Sequence, residues 1–74
     1  MNEAEIKKMM SDFVDVLFDA GVSDNNIEGL GEMMWGDKAA IDELILYIKN
    51  NPKATQGRIV KQASIIMGIS KGDA

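Results

Sequence analysis

Apolar residues recur at intervals of three and four along most of this 74-residue chain, and that spacing restricts it to helices. An α-helix repeats every 3.6 residues, so residues three and four apart share one face. No segment alternates between apolar and polar residues over a useful length, as a half-buried strand would. The connections are short as well. The sequence therefore predicts an all-α fold, a compact bundle of four helices in a single domain spanning residues 1–74.

The first helix is predicted from about residue 3 to residue 20. Asn2 followed by Glu5 is typical of a capping box, and Gly21 suits the position after the last turn. The inner face of this helix consists of Ile6, Met9, Met10, Phe13, Val16, Leu17 and Ala20. Its aspartates lie outside that apolar stripe, so we expect them to be solvated.

A short second helix is predicted over about residues 25–35, after cap-type residues. Gly29 and Gly31 each weaken a helix by about 1 kcal/mol relative to alanine, so this helix depends on its neighbours. Trp35 is expected in the core or as a lid between helices. The inner face consists of Ile27, Leu30 and Met34.

The third helix is predicted from about residue 38 to residue 50, with Asp37 as its cap after Gly36. Its inner face consists of Ile41, Leu44, Ile45 and Ile48. Apolar residues also occupy its other sides, and a helix that is apolar nearly all round is usually the central one. Pro52 stops the chain after this helix, because proline disfavours a helical residue before it.

The last helix is predicted over about residues 55–67, with Thr55 as its cap and Gly68 at its end. Its inner face consists of Ile59, Val60, Ala63, Ile66 and Met67. Residues 70–74 are small and polar and are expected to fray.

The composition argues against several kinds of chemistry. The chain has no cysteine and no histidine, so it lacks a disulfide framework, thiolate metal ligands and the commonest general base. Its serines have no histidine to activate them. No apolar stretch approaches the ~18 residues that span a bilayer, and the N-terminal residues do not resemble a signal peptide. We expect a cytoplasmic protein that is not an enzyme, with no cofactor, no metal and no membrane association.

One segment resembles part of an EF-hand calcium loop. Four residues match positions one, three, five and six of that loop: Asp24, Asn26, Glu28 and Gly29. The twelfth position requires a bidentate glutamate and is Trp35 here. We therefore interpret the half-match as the start of a helix.

Charge is unevenly distributed along the chain. Residues 1–37 contain two lysines and nine acidic residues, a net charge of −7, whereas residues 38–74 contain six basic and three acidic residues, a net charge of +3. Such asymmetry bears on partners. Either the halves attract each other, within one molecule or between neighbours, or the basic half binds nucleic acid. The nucleic-acid hypothesis rests on Lys53, Arg58, Lys61 and Lys71.

The same half resembles the helix-turn-helix of repressor-type and winged-helix regulators. The residues that carry the resemblance are Ala54-Thr55-Gln56, Ile59 and Gly68-Ile69-Ser70. In those families the Gly-Ile-Ser turn usually follows Thr-Gln by about two helical turns, and here it comes one turn later. A recognition helix should follow the turn, so the resemblance implies at most a truncated version of the motif.

Some apolar residues lie outside the predicted inner faces, namely Val14, Phe18, Leu46, Tyr47 and Ile65. Ile65 shares the outer face of the last helix with Arg58 and Lys61. An aliphatic centre with a basic rim suits a protein partner with an acidic border. The alternative is that helices of unequal length bury some of these residues.

The sequence therefore predicts a small non-enzymatic protein–protein interaction module, either a regulator or inhibitor of another protein or a self-associating chain. The predicted contact residues are Phe18, Leu46, Tyr47, Arg58, Lys61 and Ile65. The alternative prediction is a nucleic-acid-binding regulator that uses the basic last helix.

Overall fold

A computed structural model describes residues 1–70, which form four helices and no strand. The helices are α1 (Glu3–Asp19), α2 (Asp24–Met33), α3 (Lys38–Asn50) and α4 (Gln56–Ser70). The predicted all-α bundle with a short second helix is confirmed. Of the predicted frayed tail, Ser70 belongs to α4, and residues 71–74 lie outside the described part of the chain.

Each helix begins at a side chain that accepts a hydrogen bond from a backbone N–H of its first turn. In α1 the capping box is complete, because the Glu5 N–H donates to Asn2 Oδ1 at 2.8 Å and the Asn2 N–H donates to Glu5 Oε1 at 3.1 Å. The other three caps are Ser23, Asp37 and Thr55. These bonds satisfy N–H groups that have no partner inside the helix.

Gly21 ends α1 as predicted, with a left-handed backbone at φ 86°. Its N–H donates to the Phe18 carbonyl at 3.0 Å, and the Val22 N–H donates to the Leu17 carbonyl at 3.1 Å. This pair of bonds is the Schellman motif. Both Val22 and Leu17 are buried, so the turn also carries the chain into the core.

Gly21→Ala should lower the free energy of unfolding by about 1 kcal/mol, because a Cβ disfavours the left-handed conformation. Gly29→Ala is the matched control. Gly29 lies inside α2, where an added Cβ meets no atom within 4 Å, so alanine should stabilise the protein by about 0.5–1 kcal/mol. Urea unfolding of both variants measures the difference. Equal effects, or effects in the opposite order, would contradict the left-handed turn.

Two helix ends differ from the prediction. Gly68 does not end α4, because its backbone stays outside the left-handed region that the chain adopts at Gly21 and Gly36. The second difference is that α2 ends at Met33, two residues earlier than predicted. Met34 then fills the core, and Trp35 lies in the following turn with 60% of its surface exposed. The expectation that Trp35 is a core or lid residue is therefore wrong.

The four helices form a closed ring in which each packs against two neighbours. Helix α1 packs against α2 and α3, and so does α4. Within residues 1–70 the two diagonal pairs, α1 with α4 and α2 with α3, do not pack against each other. No helix is central, so the predicted central position of α3 is not observed. The shared core consists of Met10, Phe13, Leu17, Val22, Ile27, Leu30, Met34, Ala40, Ile41, Leu44, Ile59, Ala63, Ile66 and Met67.

Candidate functional site

The segment that resembles a calcium loop is helical. Its four matching residues all lie in α2, and the described residues contain no group of three or more acidic side chains placed to hold a metal ion. The Asn26 side chain, at the third position of the half-match, donates a hydrogen bond to Gln56 Oε1 at 2.9 Å. The interpretation of this segment as a helix start is confirmed.

Gln56 joins the starts of α2 and α4, a role that sequence reasoning missed. Its Oε1 atom accepts a hydrogen bond from the Ser23 N–H at 3.0 Å as well as the bond from Asn26. No other side-chain hydrogen bond connects two helices within the described residues. A glutamine beside a helix cap gives no local sign of such a bond, because the partners are 30 and 33 residues away.

The helix-turn-helix resemblance fails in the backbone. Gly68, Ile69 and Ser70 continue α4, so there is no turn at the point where the motif requires one. Of the residues in the nucleic-acid hypothesis, Lys53, Arg58 and Lys61 are exposed. Lys71 lies outside the described residues.

Arg58, Lys61 and Ile65 form one exposed surface, which we call the α4 surface. Ile65 follows Arg58 by seven residues and Lys61 by four, so all three lie on the helix face opposite the buried Ile59 and Ala63. Ile65 is 45% exposed. Residues 51–70 contain no acidic residue, so nothing in this segment offsets the two positive charges.

Phe18 lies on a second surface, formed by Val14, Asp15 and Phe18 and called the α1 surface. Phe18 is 67% exposed and Val14, one turn before it, is 38% exposed. The two grooves between α1 and α3 are lined on the α1 side by other residues: Glu5, Lys8, Met9, Asp12, Val16, Asp19 and Ala20. The α1 surface therefore lies at the opposite edge of the helix, towards α2.

Leu46 and Tyr47 both lie on α3. Leu46 is 57% exposed on the outer side of α3, and its helical neighbours three and four residues away are all polar: Asp42, Glu43, Lys49 and Asn50. Tyr47 is half-buried and packs against the core. Among the predicted contact residues, Arg58, Lys61 and Ile65 therefore share one face of α4, whereas Phe18, Leu46 and Tyr47 lie on other helices.

No ion pair joins the acidic and basic halves of the chain within the described residues. The two ion pairs found there, Lys8 with Asp12 and Lys38 with Asp42, each connect residues of a single helix and are exposed. Exposed pairs of this spacing contribute about 0.3–0.5 kcal/mol. The α1–α2 hairpin contains eight acidic residues and two lysines on one side of the molecule. The positive charges of α4 lie on another part of the surface.

One of the two grooves between α1 and α3 is an open depression of about 350 Å³. Its apolar lining consists of Met1, Met9, Ile41 and Ile45. The carboxylates at its rim are already engaged, since Glu5 belongs to the capping box and both aspartates pair with lysines. The groove therefore offers no unpaired carboxylate to fix the orientation of a ligand.

Comparison of the chain with models of known protein families, with curated proteins and with solved structures gave no match. Within the described residues no helix is both long enough and apolar enough to cross a lipid bilayer.

Proposed function

We propose that this chain is a small non-enzymatic protein-interaction module, of the kind that regulates or inhibits a partner protein, and that it binds through the α4 surface. The observation that carries the proposal is the exposure of Ile65 on the same face of α4 as Arg58 and Lys61, in a segment without acidic residues. Interfaces combine an apolar centre with a polar rim. Opposite charges at the rim speed the encounter and select the partner.

The partner should present an apolar pocket or patch with an acidic border. Ile65 would enter the apolar part, and the guanidinium of Arg58 and the ammonium of Lys61 would lie beside carboxylates. Arginine pairs with a carboxylate through two parallel hydrogen bonds, which also sets orientation. Rim charges of this type are screened by salt, so the association should weaken as ionic strength rises.

Nucleic acid is the second candidate, because residues 51–70 carry three basic and no acidic residues. Three phosphate contacts supply only weak, salt-dependent affinity. Ile65 also has no role in such a contact, since phosphates are recognised by charge and hydrogen bonds. These two points favour a protein partner.

Ile65→Asp should abolish partner capture while leaving the fold intact. Wild-type protein, Ile65→Asp and Leu46→Asp would be immobilised and exposed to nuclease-treated host lysate, and bound proteins quantified. Leu46→Asp is the matched control, because it places the same charge at a similarly exposed position on another helix. We expect wild type and Leu46→Asp to retain the same protein and Ile65→Asp to retain at least about tenfold less, which corresponds to ~1.4 kcal/mol.

Retention of the same protein by Ile65→Asp would overturn the α4 surface as the binding site. A parallel measurement with a labelled DNA duplex at low salt addresses the second candidate. DNA retention that falls steeply with salt, together with no protein capture, would favour nucleic-acid binding.

A further inference from the structure

The α1 surface has the chemistry that the α4 surface requires of a partner. Phe18 and Val14 form an apolar centre, and Asp15 is a helical neighbour of Phe18. This surface belongs to the hairpin with eight acidic residues and two lysines. The α4 surface has the opposite charge, because its aliphatic residue, Ile65, lies beside the cations of Arg58 and Lys61. One chain therefore carries both halves of a complementary pair.

The two surfaces lie on opposite sides of the molecule. The α1 surface is at the edge of α1 that faces α2. On α4, the groove towards α2 is lined by Val60 and Ser64, and Arg58 lines a depression with residues 50–54 at the α3 end. The α4 surface is thus displaced towards α3. Because α1 and α4 are diagonal in the ring of helices, the two surfaces cannot meet within one molecule.

We infer that the occupant of the α4 surface is the α1 surface of a second copy of this chain. This inference rests on the proposed function and names the partner. The contact is head-to-tail, because it joins two different surfaces. Each added copy leaves one α1 surface and one α4 surface available, so assembly continues until a ring closes or a filament forms.

Stable interfaces bury about 800 Å² on each partner. That area is about one sixth of the 5005 Å² surface of this molecule. One helix face provides less than this area, so the contact is small. Self-association should therefore need high protein concentration and low salt. Sedimentation velocity from micromolar to millimolar concentration should show the mean mass of the wild-type protein rising past that of a dimer. Added salt should reverse the rise, since complementary charges drive the encounter.

Two single-surface variants make the test specific. Phe18→Ser disables the α1 surface, and Ile65→Asp disables the α4 surface. Each variant alone should stay at the monomer mass of 8.1 kDa. An equimolar mixture should give a complex of twice that mass and nothing larger, because one intact surface of each kind remains. Leu46→Asp should associate as the wild type does, and circular dichroism should show that all three variants keep their helices.

Four results would overturn the inference. These are a wild-type protein that stays monomeric throughout, a mixture that stays monomeric, variants that associate as strongly as the wild type, or one variant that still forms dimers alone. The last result would mean that a single surface pairs with itself. A monomeric wild type would leave the proposed function standing, because capture of a different protein by the α4 surface is measured separately.

Discussion

Ile66→Asp is expected to unfold the protein, whereas Ile65→Asp on the adjacent position should leave the helix content unchanged. Ile66 is 2% exposed in the core, and Ile65 is 45% exposed. A carboxylate at Ile66 loses the apolar contacts of isoleucine, worth about 2–5 kcal/mol, and adds the cost of burying a charge without a partner. A 74-residue domain has a total stability of about 4–11 kcal/mol, so the loss removes most or all of it.

Far-UV circular dichroism and urea titration of the two variants measure this contrast. The pair is well matched, because residue type, helix and introduced charge are identical. A folded Ile66→Asp would show that the buried face of α4 is misplaced. An unfolded Ile65→Asp would show that Ile65 is a core residue, and the α4 surface could then not be an interface.

Phe13→Ala should lower the free energy of unfolding by about 3–5 kcal/mol, the second largest effect we expect. Phe13 has no exposed surface, and it lies on α1 between the buried Met10 and Leu17. Truncation removes the transfer free energy of the ring and leaves a cavity that the surrounding helices fill only in part. The midpoint of urea unfolding should fall accordingly, with an unchanged slope.

Phe18→Ala is the control for that experiment. The Phe18 side chain belongs to the same helix, five residues on, but is 67% exposed, so its truncation should change the unfolding free energy by less than about 1 kcal/mol. If the two phenylalanines contributed equally, Phe18 would be a core residue and the α1 surface would not exist as described.

Much of the fold follows from local sequence. Asn2, Asp37 and Thr55 act as the predicted caps because a cap needs only its own helix's first turn. The inner face of α4 was predicted correctly at Ile59 and Ile66, because the helical repeat alone determines which residues share a face. These features depend on residues fewer than eight positions apart.

The errors concern the ends of two helices and one contact between helices. Gly68 has the residue type of a helix end, yet the helix continues through it. Trp35 follows the α2 stripe in sequence, but the earlier end of the helix leaves it exposed. The hydrogen bond from the Ser23 N–H to Gln56 Oε1 joins residues 33 positions apart, so no local sequence pattern predicts it.

In the candidate site, too, some features follow from local sequence and others only from the tertiary structure. The sequence determined that Arg58, Lys61 and Ile65 share a helix face, since spacings of four and seven residues bring them together on any α-helix. Only the tertiary structure decided that this face is exposed, that Tyr47 packs against the core while Leu46 is exposed, and that Phe18 lies across the molecule from Ile65. The physical reason is that helical periodicity acts within one turn or two, whereas burial depends on which helices pack together.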